Sequence, residues 1–159
     1  MCVKSVILLC CLFMCGCGSV DRNYIDQLRS GTPEQRAQAA SFLGAQRIAE
    51  AIPHLQVALQ DESIQVRVKV IWALGSLRSK RVLNNLLPLM QDTDRNIRQA
   101  TARALMQIEE PKAIVALERA LKIEYDTWVV KDITMALEHL RQFEGEVDVR
   151  ETSVRGEFF

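Results

Sequence analysis

The chain has 159 residues and 20 basic groups against 20 acidic ones, so its formal net charge is zero. That balance gives no electrostatic reason to expect nucleic acid or an acidic lipid surface as partner. All five cysteines lie at positions 2, 10, 11, 15 and 17, so the rest of the chain has no disulfide, thiolate nucleophile or cysteine metal site.

Met1–Gly16 reads as a signal peptide. Lys4 supplies the positive start, and Ser5 to Met14 is an apolar run too short to span a bilayer. Met14-Cys15-Gly16-Cys17 resembles a bacterial lipobox, with small Gly16 before the cysteine to be acylated. The resemblance implies lipidation at Cys17, with Cys15 as the alternative frame. More than one acyl chain would hold the protein stably at a membrane. Residues 17–23 then form a lipidated N-terminus and short linker. Gly18 after the cysteine leans toward the outer membrane, periplasmic side, in a Gram-negative cell.

From residue 24 to 143 the chain repeats every 31 residues. Leu28, Leu59, Met90 and Leu121 keep this interval, as do Arg36, Arg67 and Arg98, and Leu43, Leu74 and Leu105. A period of this length with helical patterning is the mark of a stacked solenoid. The first helices are expected at Tyr24–Arg29, Ile52–Leu59, Leu86–Met90 and Ile114–Leu121, with Pro88 shortening or kinking the third. The second helices open on Thr32, Ser63, Asp94 and Asp126, all types whose side chains cap a first turn. Thr32 and Gln35 have the spacing of a capping box, with Pro33 at the first helical position. One extra residue around Ile123 to Tyr125 shifts the last repeat.

Aligned on these starts, Leu43, Leu74, Leu105 and Leu137 form one core column. Ala39, Val70, Thr101 and Ile133 form another, and Phe42, Ala73, Ala104 and Ala136 a third, mostly small. The spacing gives each second helix one apolar face, which only stacking buries. The predicted fold is all-α, a short α-solenoid of about four helical hairpins.

Gln60-Asp61…Val66-Arg67…Ala73-Leu74-Gly75 and Gln91-Asp92…Ile97-Arg98…Ala104-Leu105 resemble the HEAT-like repeats of phycobilisome-lyase-type proteins. Repeat four departs, with Val130 for the arginine and Glu138 for the glycine. The resemblance implies that Arg36, Arg67 and Arg98 form a structural ladder to turn carboxylates such as Asp61, Asp92 and Asp94. It also implies that the second helices line the concave surface. That exposed stripe includes Lys69, Trp72, Arg103, Trp128, Asp132, Met135 and His139. Lys69, Trp72, Arg103, Trp128 and Met135 are the candidate partner-binding residues, since a tryptophan between cations has the composition of a binding hot spot.

No cofactor, metal site or small-molecule substrate is evident. His54 and His139 lie in different repeats, and no nucleophile, base and orienter group together. Glu144 to Phe159 breaks the repeat and reads as disordered, with the alternation around Val147 and Val149 able to join a sheet edge. The primary expectation is a non-catalytic, membrane-tethered lipoprotein, a protein-interaction scaffold or accessory subunit of the envelope. The alternatives are a bilin-lyase-like, chromophore-handling subunit or a structural envelope component.

Overall fold

The computed structural model describes residues 17–155, with side chains described for residues 21–143. The Met1–Gly16 leader and the side chain of Cys17 lie outside what is described. So does the choice between Cys15 and Cys17.

Helices α1 (Cys17–Ser30) and α2 (Pro33–Ala45) form the first hairpin; α3 (Ile52–Ala58) and α4 (Ile64–Ser76) form the second. The third pairs α5 (Leu83–Leu86), continued by a 3-10 turn Leu87–Gln91, with α6 (Arg95–Ile108). The fourth pairs α7 (Ile114–Leu121) with α8 (Thr127–Arg155). Among the described residues there is no strand. The fold is an all-α solenoid in which α2 packs on α4, α4 on α6, and α6 on α8.

The core columns explain the stacking. Leu43, Leu74, Leu105 and Leu137 are all buried, as are Ala39, Val70, Thr101 and Ile133. Thr101 tolerates this because its hydroxyl donates to the Ile97 carbonyl at 2.7 Å. In the small-residue column Ala73, Ala104 and Ala136 are buried, whereas Phe42 is half-buried and stacks on Tyr24 with centroids 3.8 Å apart. Among the described residues no repeat precedes the first hairpin, and the aromatic pair covers that side.

The caps follow the sequence at three of four starts. Thr32 and Gln35 form the full capping box. Asp94 accepts from Asn96 and Ile97, and Asp126 from Trp128 and Val129. Ser63 makes no side-chain cap; its backbone N–H donates instead to Asp61 at 2.9 Å.

Two expected boundaries are corrected. Residues 17–23 are helical rather than a linker, because α1 begins at Cys17. Tyr24, Ile25 and Leu28 dock the helix on the core, and a docked helix extends backward cheaply once nucleated. The expected break at Glu144 is also corrected: α8 continues through it to Arg155, and residues 156–159 lie outside the described residues. A single interior glycine, Gly145, costs a helix only about 1 kcal/mol. The sequence also sets Glu146 four residues before Arg150 and Glu151 four before Arg155, which favours helix. A third boundary moves as well: the helix expected at Leu86–Met90 is instead α5 at Leu83–Leu86, and the chain around Pro88 is a 3-10 turn, Leu87–Gln91.

One periodic feature has no counterpart in the sequence reading. Arg47, Arg78 and Glu109 all have left-handed backbone, at φ 53°, 50° and 55°. They stand 31 residues apart, each just after a second helix. At the first, Ile48 N–H donates to Leu43 and Arg47 N–H to Gly44, the bonds that close a Schellman motif.

Candidate functional site: the seam around Trp72

The seam exists because two glycines let the second helices touch. A Cβ added at Gly44 would lie 2.5 Å from the Ala73 backbone and 3.2 Å from the Trp72 ring. One at Gly75 would lie 2.8 Å from the Ala104 backbone and 2.7 Å from Gln107 Oε1. Trp72 therefore spreads over Gly44 yet keeps 41% of its surface exposed.

Two clefts meet at this ring. One, of about 280 Å³, is lined by Ser41, Lys69, Trp72, Arg103 and Gln107 among others. The second, of about 430 Å³, is lined by Gly44, Arg47, Trp72, Ser76, Arg78 and Gln107 among others. Their shared wall carries a buried acceptor, Gln107 Oε1, which has no hydrogen-bond partner among the described residues. A larger cavity, about 790 Å³, lies between the first helices and the turns, lined by Arg36, His54 and Asp61 among others. Of its two arginines, Arg36 is paired with Asp61, and no Trp, Tyr or Phe lines it, so the Trp72 seam is the better-equipped site.

Lys69, Trp72 and Arg103 are thus brought together, while Trp128 and Met135 are not. Arg103 is also anchored: its Nε donates to Asp132 at 2.8 Å, and Asp132 is only 8% exposed. Asp132, expected on the exposed stripe, is therefore buried as the anchor of that arginine. Trp128 and Met135 remain well exposed on the last repeat, with Lys131 Nζ 5.8 Å from the Trp128 ring. Arg47 and Arg78 are functional candidates that the sequence did not reveal; their 31-residue spacing was the available signal.

Arg36, Arg67 and Arg98 sit under the turns, away from the seam. Arg36 Nε and Nη2 donate to the two oxygens of Asp61 at 2.7 and 2.8 Å, and Nη1 donates to the Gly31 carbonyl. Arg98 does the same to Glu124 at 2.6 and 3.0 Å. Arg67 donates to the Asp61 carbonyl, and among the described residues no carboxylate lies within ion-pair distance. The Arg36 and Arg98 clasps thus join a second helix to the turn of the next repeat, whereas Arg67 bonds to the turn of its own. Arg98 takes Glu124 rather than an aspartate because the extra residue in that turn moves the acid.

The clasped acids titrate low. Burial pushes the Asp61 carboxyl up, but bonds from Arg36 and the Ser63 N–H, with the nearby charge of Arg67, bring it below its ordinary value. Glu124 is held down chiefly by the Arg98 bond, against the opposing effect of burial. Asp126 is lowered first by the Val129 N–H, the signature of its capping role.

Comparison with known proteins now bears on this architecture. The HEAT repeats family matches residues 23–87 and 52–138, most of the described chain. The chain is a HEAT-repeat protein. Over 84 residues it is 33% identical to the bilin biosynthesis protein PecE of Nostoc sp. strain PCC 7120, covering 52% of this chain and 33% of PecE. Its fold is similar to a chain in the complex of CpcE and CpcF of phycocyanin lyase from Nostoc sp. PCC7120. There the TM-score is 0.63 at 23% identity, over 74% of this chain and 53% of that one. This HEAT-repeat chain therefore spans about a third of PecE and about half of the lyase chain.

These similarities correct the functional expectation. The expected non-catalytic lipoprotein scaffold is not what the similarities favour, because a curated relative of this repeat array is a bilin biosynthesis protein. The expectation that the chain has no enzymatic role falls with it. A repeat array can contribute to chemistry by holding a reactant, which needs no triad or metal cluster for the sequence to display. Among the described residues, no group of three or more His, Cys, Asp or Glu is placed to hold a metal ion. None of the described helices is long and apolar enough to cross a membrane. His139 Nε2 lies 3.3 Å from Glu109 and His54 lies on the opposite cavity, so the histidines do not converge.

Proposed function

We propose that this HEAT-repeat chain is a bilin-handling subunit of a lyase-type assembly, and that the Trp72 seam receives the chromophore. The observation that carries the reading is the identity to PecE across the repeats. The seam supplies matching chemistry. A linear tetrapyrrole is flat, conjugated and rich in N–H donors, and it ends in propionate carboxylates. Trp72 offers a stacking face and Lys69 a cation, beside Arg103 anchored on Asp132. Holding the bilin there would fix the orientation of its reactive end toward an acceptor protein, a contribution of the positioning kind.

A second subunit is part of the proposal. The fourth repeat exposes Trp128 and Met135. The positions that send cations to the next repeat, Arg98 and Arg103, are here occupied by Val130 and Met135. We place another helical-repeat subunit on that face, continuing the packing of α6 on α8. For location we propose that Met1–Gly16 acts as an export leader; mass spectrometry of the mature N-terminus tests this, and an intact Met1 in cells would refute it.

The test of function is visible absorbance of the purified chain incubated with phycocyanobilin. A saturable, stoichiometric spectral change that is lost in Trp72→Ala supports the reading. No change, or one insensitive to Trp72, refutes it.

A further inference from the structure

We infer that Arg47 and Arg78 form a carboxylate-receiving site at the rim of the Trp72 seam. The inference deepens the proposed chromophore reading and rests on it for the natural ligand, but its geometry stands alone.

A left-handed residue after a helix is ordinarily glycine, because a side chain there is strained. This array puts Arg47, Arg78 and Glu109 in that conformation at successive repeats. Such outliers persist where the surroundings or the function require the side chain. Between repeats two and three the requirement is visible. Arg78 Nε donates to the Gln107 carbonyl at 2.9 Å, and its Nη2 pairs with Glu109. The left-handed position of one repeat thereby holds that of the next.

One repeat earlier the same ladder reads differently. The position equivalent to Glu109 is Arg78 itself, so Arg47 faces a cation where Arg78 faces an acid. Among the described residues no carboxylate lies within ion-pair distance of Arg47, which is exposed. Glu109, the acid nearest this ladder, is already engaged by Arg78 and His139. Both arginines line the cleft of about 430 Å³ that Trp72 and Gly44 also line. Glu109 already holds Arg78 in place, whereas Arg47 has no carboxylate partner among the described residues, and its planar fork suits one. The flat wall of Trp72 beside them selects a carboxylate carried on an aromatic or conjugated body. A propionate of a linear tetrapyrrole has that form.

The probes are 1-pyrenebutyrate and 1-pyrenebutanol, followed by fluorescence anisotropy on the full chain, and biliverdin and its dimethyl ester, followed by absorbance. Arg47→Gly removes the charge at a position where glycine fits the backbone, so its thermal midpoint should equal or exceed that of the native chain. Pyrenebutyrate should bind about tenfold tighter than the alcohol, the scale of a charge-assisted contact. Arg47→Gly should erase that preference, Arg47→Lys should keep part of it, and the distant Lys112→Gln should leave it intact. Biliverdin and its ester should differ in the same way. Equal binding of acid and alcohol, a preference that survives Arg47→Gly, or no binding of either pyrene probe overturns the site. If pyrenebutyrate binds through Arg47 but biliverdin does not, the carboxylate site stands and the tetrapyrrole reading fails. If biliverdin binds through Trp72 but its ester binds equally well, the reading stands and the arginine site fails.

Discussion

The two tryptophans of this chain lie on the same series of second helices and meet opposite fates. Trp72, in the second repeat, lies over the Gly44 backbone and walls two clefts. Trp128, in the last repeat, is 62% exposed, with Lys131 its one cation–π neighbour among the described residues. The difference is not one of residue type or helix face alone. It comes from what the neighbouring repeat offers: a glycine and a small-residue column under Trp72, and no further repeat against Trp128 among the described residues. In a solenoid, a site is made by a seam between repeats.

The largest effect should come from closing the seam. Gly44→Ala puts a Cβ against the backbone of α4, an overpacking that costs about 2–3 kcal/mol. Met135→Ala, on the open repeat, should change stability by under about 0.5 kcal/mol in the isolated chain. Equal losses in chemical denaturation would mean that the seam is not tightly packed.

Next comes the clasp that ties the last repeat to the array. Arg98→Ala leaves Glu124, whose side chain is 4% exposed, without its cation. Loss of about 2–3 kcal/mol is expected, below the figure for a fully enclosed pair because the turn is near solvent. Arg67→Ala, which removes one bond to a carbonyl, should cost about 1 kcal/mol. A larger loss for Arg67 than for Arg98 would reverse the assignment of the clasp.

The same clasps set an acid response. Asp61 and Glu124 titrate lower in the folded chain than their ordinary values of 3.8 and 4.5. Groups depressed in this way stabilise the fold above their unfolded pKa, and that stability disappears as pH falls through the folded pKa. Thermal midpoints should therefore hold near neutrality and drop below about pH 4.5, the ordinary glutamate value. Arg98→Ala should blunt the drop; an unaltered slope would show that Glu124 is not held down by Arg98. The smallest effect is that of the open tryptophan: Trp128→Ala should cost under about 0.5 kcal/mol, against roughly 1–2 kcal/mol for the half-covered Trp72.

The fold was legible because burial repeats: Leu43, Leu74 and Leu105 recur at one interval, and only stacked hairpins bury them together. Caps at Thr32, Asp94 and Asp126 were legible for the same reason, since side-chain oxygens at helix starts have one common use. The limits of α1 and α8 were not. Local breakers and core residues mark where a helix is anchored, not how far it propagates beyond the anchor. Trp72, Lys69 and Arg103 could be grouped from the register alone. Asp132 could not be assigned to the buried side, because its burial follows from the reach of Arg103 across a seam. Left-handed Arg47 and Arg78 were hidden because arginine carries no conformational signal of the kind glycine does.

The account turns on the seam being a chromophore groove. Titrating phycocyanobilin into the native chain, Trp72→Ala and Trp128→Ala, and following visible absorbance, tests it most directly. Saturable binding at one bilin per chain, abolished by Trp72→Ala and unaffected by Trp128→Ala, is the predicted result. Absence of binding to the native chain, or equal binding to all three, would contradict it.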